Sequence, residues 1–211
     1  MKTLIKKKTT INKKDNLIIL CKKNSNLSQY NLSSKEQDFL KKEKGEIVTI
    51  NQYNRYVFIV KPKENSNLDF HNENCRLIGD KLIEKLTNIK SVVIIDTEMN
   101  SDDILQVAEG MALSNYTFNK YKKVQNKKLE KIFLITNISS KKIDELNNII
   151  DGVYFTRDLI NEPFSHLKAV DLALAAKKVA TINGFKSKIL YKKEIKKLKM
   201  GGLLAVNQGS I

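Results

Sequence analysis

Histidine and cysteine, which often act as nucleophiles, proton carriers and metal ligands, each occur only twice in this sequence of 211 residues. Cys21 and Cys75 form no CxxC motif and have no histidine paired with them, so we interpret both as buried free thiols. His71 lies in a polar stretch that we interpret as a loop, and His166 follows a proline. We expect His71 to be solvated at the surface and His166 to have a structural or surface position.

Adjacent carboxylates occur twice, in Asp102 with Asp103 and in Asp144 with Glu145. Neighbouring side chains on a helix diverge, so neither pair can hold one metal ion as two convergent carboxylates would. We predict helix capping or solvation for all four residues. The sequence also has no P-loop, nucleophile elbow or dinucleotide-binding fingerprint. These residue types and spacings therefore indicate no catalytic centre.

The composition is that of an ordinary globular protein, with 41% hydrophobic and 29% charged residues, which excludes a disordered or fibrous chain. The longest aliphatic runs, Leu17–Leu20 and residues 92–95, are far shorter than the roughly 20 apolar residues of a transmembrane helix. No apolar signal-peptide core follows the N-terminal lysines. We therefore expect a cytoplasmic protein with no membrane partner.

The formal net charge of +15 and the pI near 9.6 are typical of nucleic-acid-binding proteins. However, Arg55, Arg76 and Arg157 are the only arginines, although arginine is the usual reader of bases and phosphates. The lysines occur in scattered pairs along the whole chain rather than in one stripe. We interpret most of them as solvated faces and keep nucleic-acid binding as a weaker alternative.

Alternating strands and helices are predicted for the first two thirds of the chain. Helical spacing of apolar residues runs from Ile78 to Ile89 and from Ile104 to Ala112, and the polar stretches 22–34 and 62–74 are expected to be surface connections. The short apolar runs typical of buried strands are Leu17–Leu20, Tyr56–Val60, 92–95 and 132–135. This alternation predicts an α/β layer.

An apolar stripe between Ile143 and Ile160 predicts a long helix. We expect it to begin near Ser140 and to end near Pro163, because proline disfavours helical geometry in the residue before it. A domain boundary is predicted at this proline.

The segment after Pro163 is predicted to contain a helix over 170–182, a strand over 186–191, a short basic helix and an apolar strand over 200–206. It holds four of the eight glycines, which we interpret as tight turns and close backbone approach. About 50 residues bury too little surface to be stable alone, so we interpret this segment as a truncated second domain.

Three stretches resemble the leucyl aminopeptidases of the M17 type. Residues 154–163 (YFTRDLINEP) are similar to the family signature aRDLxNxP, residues 200–210 (MGGLLAVNQGS) to MGxxLaVxxGS, and residues 108–122 (AEGMALSNYTFNKYK) to a family helix, aeGaxLxxYxFxxYK. The signature positions, all interpreted as structural, are Gly110, Arg157, Asp158, Asn161, Pro163, Gly201, Gly209 and Ser210.

The resemblance implies a macrodomain-like α/β domain over 1–138, a linker helix over 139–162 and the incomplete beginning of a catalytic domain over 163–211. It also implies peptide substrates, a homo-hexamer and two divalent metal ions, Zn or Mn, in the full-length enzyme. The family's metal ligands are a lysine, three aspartates and a glutamate, all beyond the segment that ends in Gly209-Ser210. We therefore predict that this chain has no catalytic, metal-binding or substrate-binding residue, binds no metal and is inactive alone.

Individual signature residues are predicted to support the fold. We expect Arg157, with Asp158, to tie the linker helix to the catalytic domain, and Asn161 to cap the end of that helix. Gly110 is expected to permit close packing of its helix against the sheet. Two other functions stay open: a binding module for a nucleotide-type ligand or nucleic acid, and a subunit that only joins full-length copies in a hexamer.

Overall fold

The computed structural model describes residues 2–22, 25–63, 65–97, 101–123 and 128–209. The chain divides into two compact units, Met1–Arg157 and Asp158–Ile211. No helix within the described residues is both long enough and apolar enough to cross a membrane.

A six-stranded sheet forms the centre of the first unit. Its order is β1-β6-β5-β2-β4-β3, and all neighbours are parallel except β3, which is antiparallel to β4. The strands are β1 (Leu4–Lys7), β2 (Leu17–Leu20), β3 (Ile47–Asn51), β4 (Tyr56–Val60), β5 (Ser91–Asp96) and β6 (Lys131–Ile135). The four predicted strands and the α/β class are confirmed, whereas the edge strands β1 and β3 were not predicted.

Helices cover both faces of this sheet. Alternate residues of each strand point to opposite faces, so Ile18 and Leu20 join one core while Leu17 and Ile19 join the other. The helices of the first core are α2 (Leu68–Lys85), α3 (Ser101–Ser114) and α4 (Ser140–Asn161). The second core includes Leu40 of helix α1 (Ser34–Lys42) and Tyr30 of a 3₁₀ turn, Ser28–Tyr30.

Helix α2 begins earlier than predicted. The side chain of Asn67 accepts hydrogen bonds from the backbone N–H groups of Asp69 and Phe70, which caps the helix at its first turn. The prediction that 62–74 is a surface connection is therefore wrong from Leu68 onward. Helix α1 was also missed within its lysine-rich surroundings, although Ser33 and Glu36 form a capping box at its start.

Helices α2 and α3 approach each other closely through two glycines. A Cβ atom at Gly110 would lie 2.1 Å from the backbone oxygen of Arg76, and one at Gly79 would lie 2.4 Å from the backbone oxygen of Val107. The close packing predicted at Gly110 is therefore present, but its partner is helix α2 and not the sheet. A side chain at either position would separate the two helices.

The long helix α4 confirms the apolar stripe, which buries Ile143, Leu146 and Ile150. The hydroxyl of Tyr154 donates a hydrogen bond to the backbone oxygen of Ala112 at the end of α3. The amide of Asn147 bonds both backbone groups of Ile5 in the edge strand β1. Through these polar contacts the helix is fixed to both α3 and β1.

The described part of the second unit, residues 158–209, consists of helices joined by turns and irregular segments. It contains α5 (Ala169–Ile182), α6 (Lys192–Lys197), α7 (Gly201–Val206) and a 3₁₀ turn, Asn207–Gly209. The predicted helix over 170–182 and the short basic helix are confirmed. Gly184 has φ +74 directly after α5, as expected of a glycine that ends a helix.

Both strands predicted for this unit are wrong. Residues 186–191 are irregular, and residues 201–206 form a helix. A strand needs a neighbouring strand for its backbone groups, and residues 158–209 contain none, whereas a helix pairs these groups within itself. The interpretation of Gly201 and Gly209 as points of close backbone approach is also wrong, because nothing lies within 4 Å of a Cβ at either residue.

Candidate functional site

A cleft opens at the carboxyl ends of the central parallel strands β2 and β5. The chain leaves β2 toward the β4 side of the sheet and leaves β5 toward the β6 side, so the two connections diverge. Such a topological switch point is the usual ligand-binding position in open α/β sheets. We name this space the switch-point cleft. It has a volume of about 460 Å³ and is lined by Leu20, Cys21, Lys22, Pro62, Asn65, Ser66, Leu68, His71, Asp96 and Asp103.

A group of three side chains lies at the wall of this cleft. His71 and Cys75 stand one turn apart on α2, and Asp103 lies in the first turn of α3. The Nε2 atom of His71 lies 2.9 Å from Oδ1 of Asp103 and 3.8 Å from Sγ of Cys75. All three potential ligand atoms lie within 4.8 Å of one another. We call these residues the His–Cys–Asp group.

The position of His71 corrects the sequence-based interpretation. The side chain is on a helix, only 13% of it is exposed, and it pairs with Asp103 across two helices. The missed signal is the spacing of four residues between His71 and Cys75, which places both on one face of a helix. Assigning His71 to a loop concealed that spacing.

The two aspartates at the start of α3 diverge, as predicted. Asp102 pairs with Lys142 of α4 at 2.7 Å, whereas Asp103 turns to His71. The expectation of solvation or capping is wrong for Asp103, because only 15% of its side chain is exposed and its carboxylate faces the imidazole.

Cys21 and Cys75 are both buried, and neither forms a disulfide, as predicted. Burial raises the pKa of the Cys75 thiol to about 12, and the nearby charge of Asp103 adds to this effect. The thiol is therefore protonated at neutral pH. It is also fully buried, which makes it a poor nucleophile for a substrate.

A cysteine–histidine–aspartate triad does not fit this geometry. In a triad the acid orients one ring nitrogen while the other activates the nucleophile. Here both Asp103 and Cys75 face Nε2 of His71, and the buried Nδ1 has no hydrogen-bond partner among the described residues. The Asp103 carboxylate and the Cys75 sulfur thus both lie near Nε2 of His71, as ligands around one ion do.

Arg157 of the RDL motif lies near the end of α4 and contacts the first unit. Its Nη1 donates a hydrogen bond of 2.6 Å to the backbone oxygen of Leu113, and its guanidinium lies 5.4 Å from the centre of the Tyr116 ring. These contacts join α4 to the end of α3. The predicted role of Arg157 in tying the helix to the catalytic domain stays a prediction beside these contacts.

Replacement of Arg157 by alanine is expected to lower the free energy of unfolding of the first unit by about 2 kcal/mol, from one charged hydrogen bond and one cation–π contact. Arg157→Lys keeps the charge but not the planar fork, so we expect roughly half that loss. Urea unfolding, monitored by hydrogen exchange of the β5 amides, measures the free energy of unfolding of both variants. An Arg157→Ala protein as stable as the wild type would contradict this role.

The signature residues that follow Arg157 lie at the end of α4 and in the second unit. Helix α4 ends at Asn161, and the carbonyl of Pro163 then accepts hydrogen bonds from the N–H groups of His166 and Leu167. His166 is exposed, as expected, and its Nδ1 lies 2.9 Å from Oγ of Ser165. Gly201 begins α7 and Gly209 ends the last 3₁₀ turn, whereas Ser210 lies outside the described residues.

Comparison with known proteins decides the family. Residues 154–211 match the model of the cytosol aminopeptidase family, catalytic domain, Peptidase_M17. A probable cytosol aminopeptidase of Sulfurihydrogenibium sp. (strain YO3AOP1) is 36% identical over 156 residues. The chain belongs to the cytosol aminopeptidase (M17) family. A second relative from Clostridium tetani, also a probable cytosol aminopeptidase, is 29% identical over 188 residues, or 83% of this chain.

Two solved structures share the fold of this M17 chain, although their sequence identity with it is low. A mutant of tomato leucine aminopeptidase matches with a TM-score of 0.72 at 17% identity, over 100% of this chain and 48% of its own. The bottromycin maturation enzyme BotP in complex with Mn matches with a TM-score of 0.71 at 17% identity, over 93% of this chain and 42% of its own.

The M17 chain spans only part of its curated relatives. The match with the Sulfurihydrogenibium protein covers 67% of this chain and 31% of the relative. The match with the Clostridium tetani protein covers 39% of that relative.

The family resemblance implies a metal pair held by a lysine and four carboxylates. In the described part of the second unit, the carboxylate of Asp171 accepts a hydrogen bond from the N–H of Lys168, and that of Glu194 accepts one from the N–H of Tyr191, so both act as helix caps. Within the described residues, the group able to hold one ion is His–Cys–Asp, in the first unit. Its donor types do not fit the family's set.

Proposed function

We propose that this chain is part of an aminopeptidase. This enzyme removes N-terminal residues from peptides and uses two divalent metal ions to do so. We further propose that the ligands of these ions are residues other than those described here. The observation that supports the proposal is the match of residues 154–211 to the catalytic-domain model, which includes the RDL motif around Arg157. When bound, such an ion pair supplies a bridging-water nucleophile and polarises the peptide carbonyl.

The second unit exposes many apolar side chains, which supports the proposal that other residues pack against them in the whole enzyme. Apolar side chains there are widely exposed, among them Phe164 at 80% and Val206 at 87%. A groove of about 380 Å³ between α5 and α7 is lined by apolar residues including Val170, Ile195 and Leu203. We propose that additional catalytic-domain residues cover this surface, since soluble proteins rarely leave so much contiguous apolar area open.

The roles of the two units differ under this proposal. The first unit holds helix α4 through Tyr154 and Arg157, and this helix leads directly into the segment that matches the catalytic domain. Its residues therefore position the catalytic domain and do not touch substrate. A cytoplasmic location and a homo-hexamer belong to the same proposal.

Hydrolysis of leucine p-nitroanilide with added Mn²⁺ or Zn²⁺ tests the proposal. We expect metal-dependent turnover by the native protein isolated from its source, with its intact mass measured in the same preparation, and no turnover by the 211-residue chain alone. Addition of a chelator to the native protein should abolish turnover. Native protein without such turnover would contradict the assigned activity, and turnover by the chain alone would contradict the proposed location of the ligands.

Binding of polyanions is the second candidate, because the net charge is +15. The switch-point cleft itself does not favour a phosphate ligand, since its lining holds two carboxylates, Asp96 and Asp103, against one ammonium group, Lys22. A nucleotide-type ligand at this cleft is therefore the less favoured form of the binding-module alternative. An assembly subunit without its own active site is consistent with the proposed role of the first unit in positioning the catalytic domain.

A further inference from the structure

We propose that His71, Cys75 and Asp103 form a mononuclear site for a divalent transition-metal ion, with Zn²⁺ as the best fit, at the wall of the switch-point cleft. This site lies in the first unit and is separate from the metal pair of the proposed aminopeptidase activity. It does not depend on that activity, and its test uses metal binding rather than peptide hydrolysis.

The donor atoms match the preferences of zinc. Imidazole nitrogen, thiolate sulfur and carboxylate oxygen are the three ligand types that Zn²⁺ takes in proteins, at about 2.0–2.3 Å. Tetrahedral placement at these lengths separates the ligand atoms by about 3.3–3.8 Å. The present separations from Nε2 of His71 are 2.9 Å to Asp103 and 3.8 Å to Cys75, so small side-chain movements open the space for an ion.

The two helices that carry these ligands, α2 and α3, are packed closely against each other. His71 and Cys75 are four residues apart on α2, the same helical spacing that lets paired histidines bind zinc. Asp103 approaches from α3, which is locked against α2 by the contacts at Gly79 and Gly110. The ligands are therefore placed by helix packing and not by loops, which is the arrangement that best preserves metal-site geometry.

Among the charged residues that line the cleft, the carboxylates of Asp96 and Asp103 outnumber the single ammonium group of Lys22. Asp96, at the end of β5, is only 8% exposed, and it shares the cleft with Asp103. On binding, the thiol of Cys75 gives its proton to solvent and the sulfur bonds to the ion as a thiolate. The Nε2 proton that His71 donates to Asp103 is lost to solvent while Nδ1 takes up a proton, and the freed lone pair on Nε2 forms the second bond. The His71–Asp103 hydrogen bond is replaced by two bonds to the metal.

The cleft side of the site remains available to a fourth ligand. His71 and Asp103 line the cleft, whereas Cys75 lies fully buried behind them. An ion held by three protein ligands with one open side is the arrangement of zinc sites that bind water or an exogenous ligand. The site thus has access to solvent through the cleft.

The test is cobalt and zinc binding to the full 211-residue chain after removal of bound metal with a chelator. We expect one equivalent of Co²⁺ to give the sulfur-to-cobalt charge-transfer band in the near ultraviolet and Zn²⁺ to displace it. This measurement needs no variant. Absence of the band, or binding of cobalt without it, would overturn the proposal.

Each ligand has a matched control of the same type in this chain. We expect His71→Asn, Cys75→Ser and Asp103→Asn each to weaken Zn²⁺ binding at least about 100-fold, since even the loss of a residue that only hydrogen-bonds to a metal ligand costs roughly 10–100-fold. His166→Asn, Cys21→Ser and Asp102→Asn should leave affinity within about 2-fold, because none of these residues belongs to the group. Circular dichroism confirms that each variant is folded.

The variant series separates the proposed site from adventitious binding. Loss of the cobalt band in Cys21→Ser, or retention of tight binding in folded Cys75→Ser, would overturn the assignment. Failure of the aminopeptidase assay would leave these results unaffected, since neither the band nor the affinity depends on peptide hydrolysis.

Discussion

Replacement of Gly110 by alanine is expected to lower the free energy of unfolding of the first unit by about 3 kcal/mol or more, at the upper end of the range for overpacking. The added Cβ would lie 2.1 Å from the backbone oxygen of Arg76 and 2.7 Å from its carbonyl carbon. The obstacle is helical backbone, which cannot rotate away as a side chain can. Relief requires α2 and α3 to separate, and that would open the core around Ile78 and Val107.

Gly152 provides the matched control for this substitution. It lies in the interior of α4, is exposed, and has nothing within 4 Å of an added Cβ. Gly152→Ala should therefore raise the free energy of unfolding by about 0.5–1 kcal/mol, because alanine loses less backbone entropy in a helix. Urea unfolding with hydrogen exchange in the β5 amides reports on the first unit in both proteins. Equal stability of Gly110→Ala and the wild type would contradict the close approach of the two helices.

The central part of the fold could be predicted from the sequence because burial imposes a pattern. The apolar runs Leu17–Leu20 and Tyr56–Val60 are buried on both faces of a mainly parallel sheet, and such strands have continuous apolar sequences. The long helix α4 shows the same rule at helical spacing. The edge strands β1 and β3 were missed because Leu4–Lys7 and Ile47–Asn51 each bury only part of their residues.

The errors in the second unit have a different cause. An apolar run as short as residues 200–206 fits a strand or a buried helix equally well by periodicity. The outcome depends on whether another strand lies beside it, and this information is not contained in the run itself. In the present structure the backbone groups pair locally and the run forms α7.

The candidate site shows the limit of motif reasoning most directly. The motifs around Gly110 and Arg157 predicted the family, and the comparisons confirm it. The His–Cys–Asp group lies in no motif, because its members come from two helices that only the fold brings together. The helical spacing of His71 and Cys75 was visible in the sequence, but the contribution of Asp103 was not.

Replacement of Asn147 by leucine is the second substitution from which we expect a large effect. The side-chain amide acts as a substitute neighbour for the edge strand β1: Oδ1 accepts a hydrogen bond of 3.1 Å from the N–H of Ile5, and Nδ2 donates one of 2.9 Å to its carbonyl. Ile5 is 1% exposed and Asn147 is 7% exposed. Leucine branches at the same carbon as asparagine but would leave both backbone groups of Ile5 buried and unpaired.

The cost follows from the two orphaned groups. Each buried unpaired donor or acceptor costs about 1–3 kcal/mol, so Asn147→Leu should lower the free energy of unfolding by roughly 2–6 kcal/mol. Asn148, the next residue on α4, is exposed, and Asn148→Leu should change stability by no more than about 0.5 kcal/mol. The pair separates the buried amide contact from a general effect of leucine in this helix.

Hydrogen exchange at the Ile5 amide gives this prediction a local readout. In the wild type its N–H is protected by Asn147 and not by the ladder with β6, because that ladder uses the N–H of Leu4, which donates to the carbonyl of Glu130. Exchange at Ile5 should therefore accelerate in Asn147→Leu even under conditions where the β5 amides stay protected. If Ile5 keeps its wild-type protection, or if Asn148→Leu destabilises the unit as much, the amide does not hold this edge of the sheet.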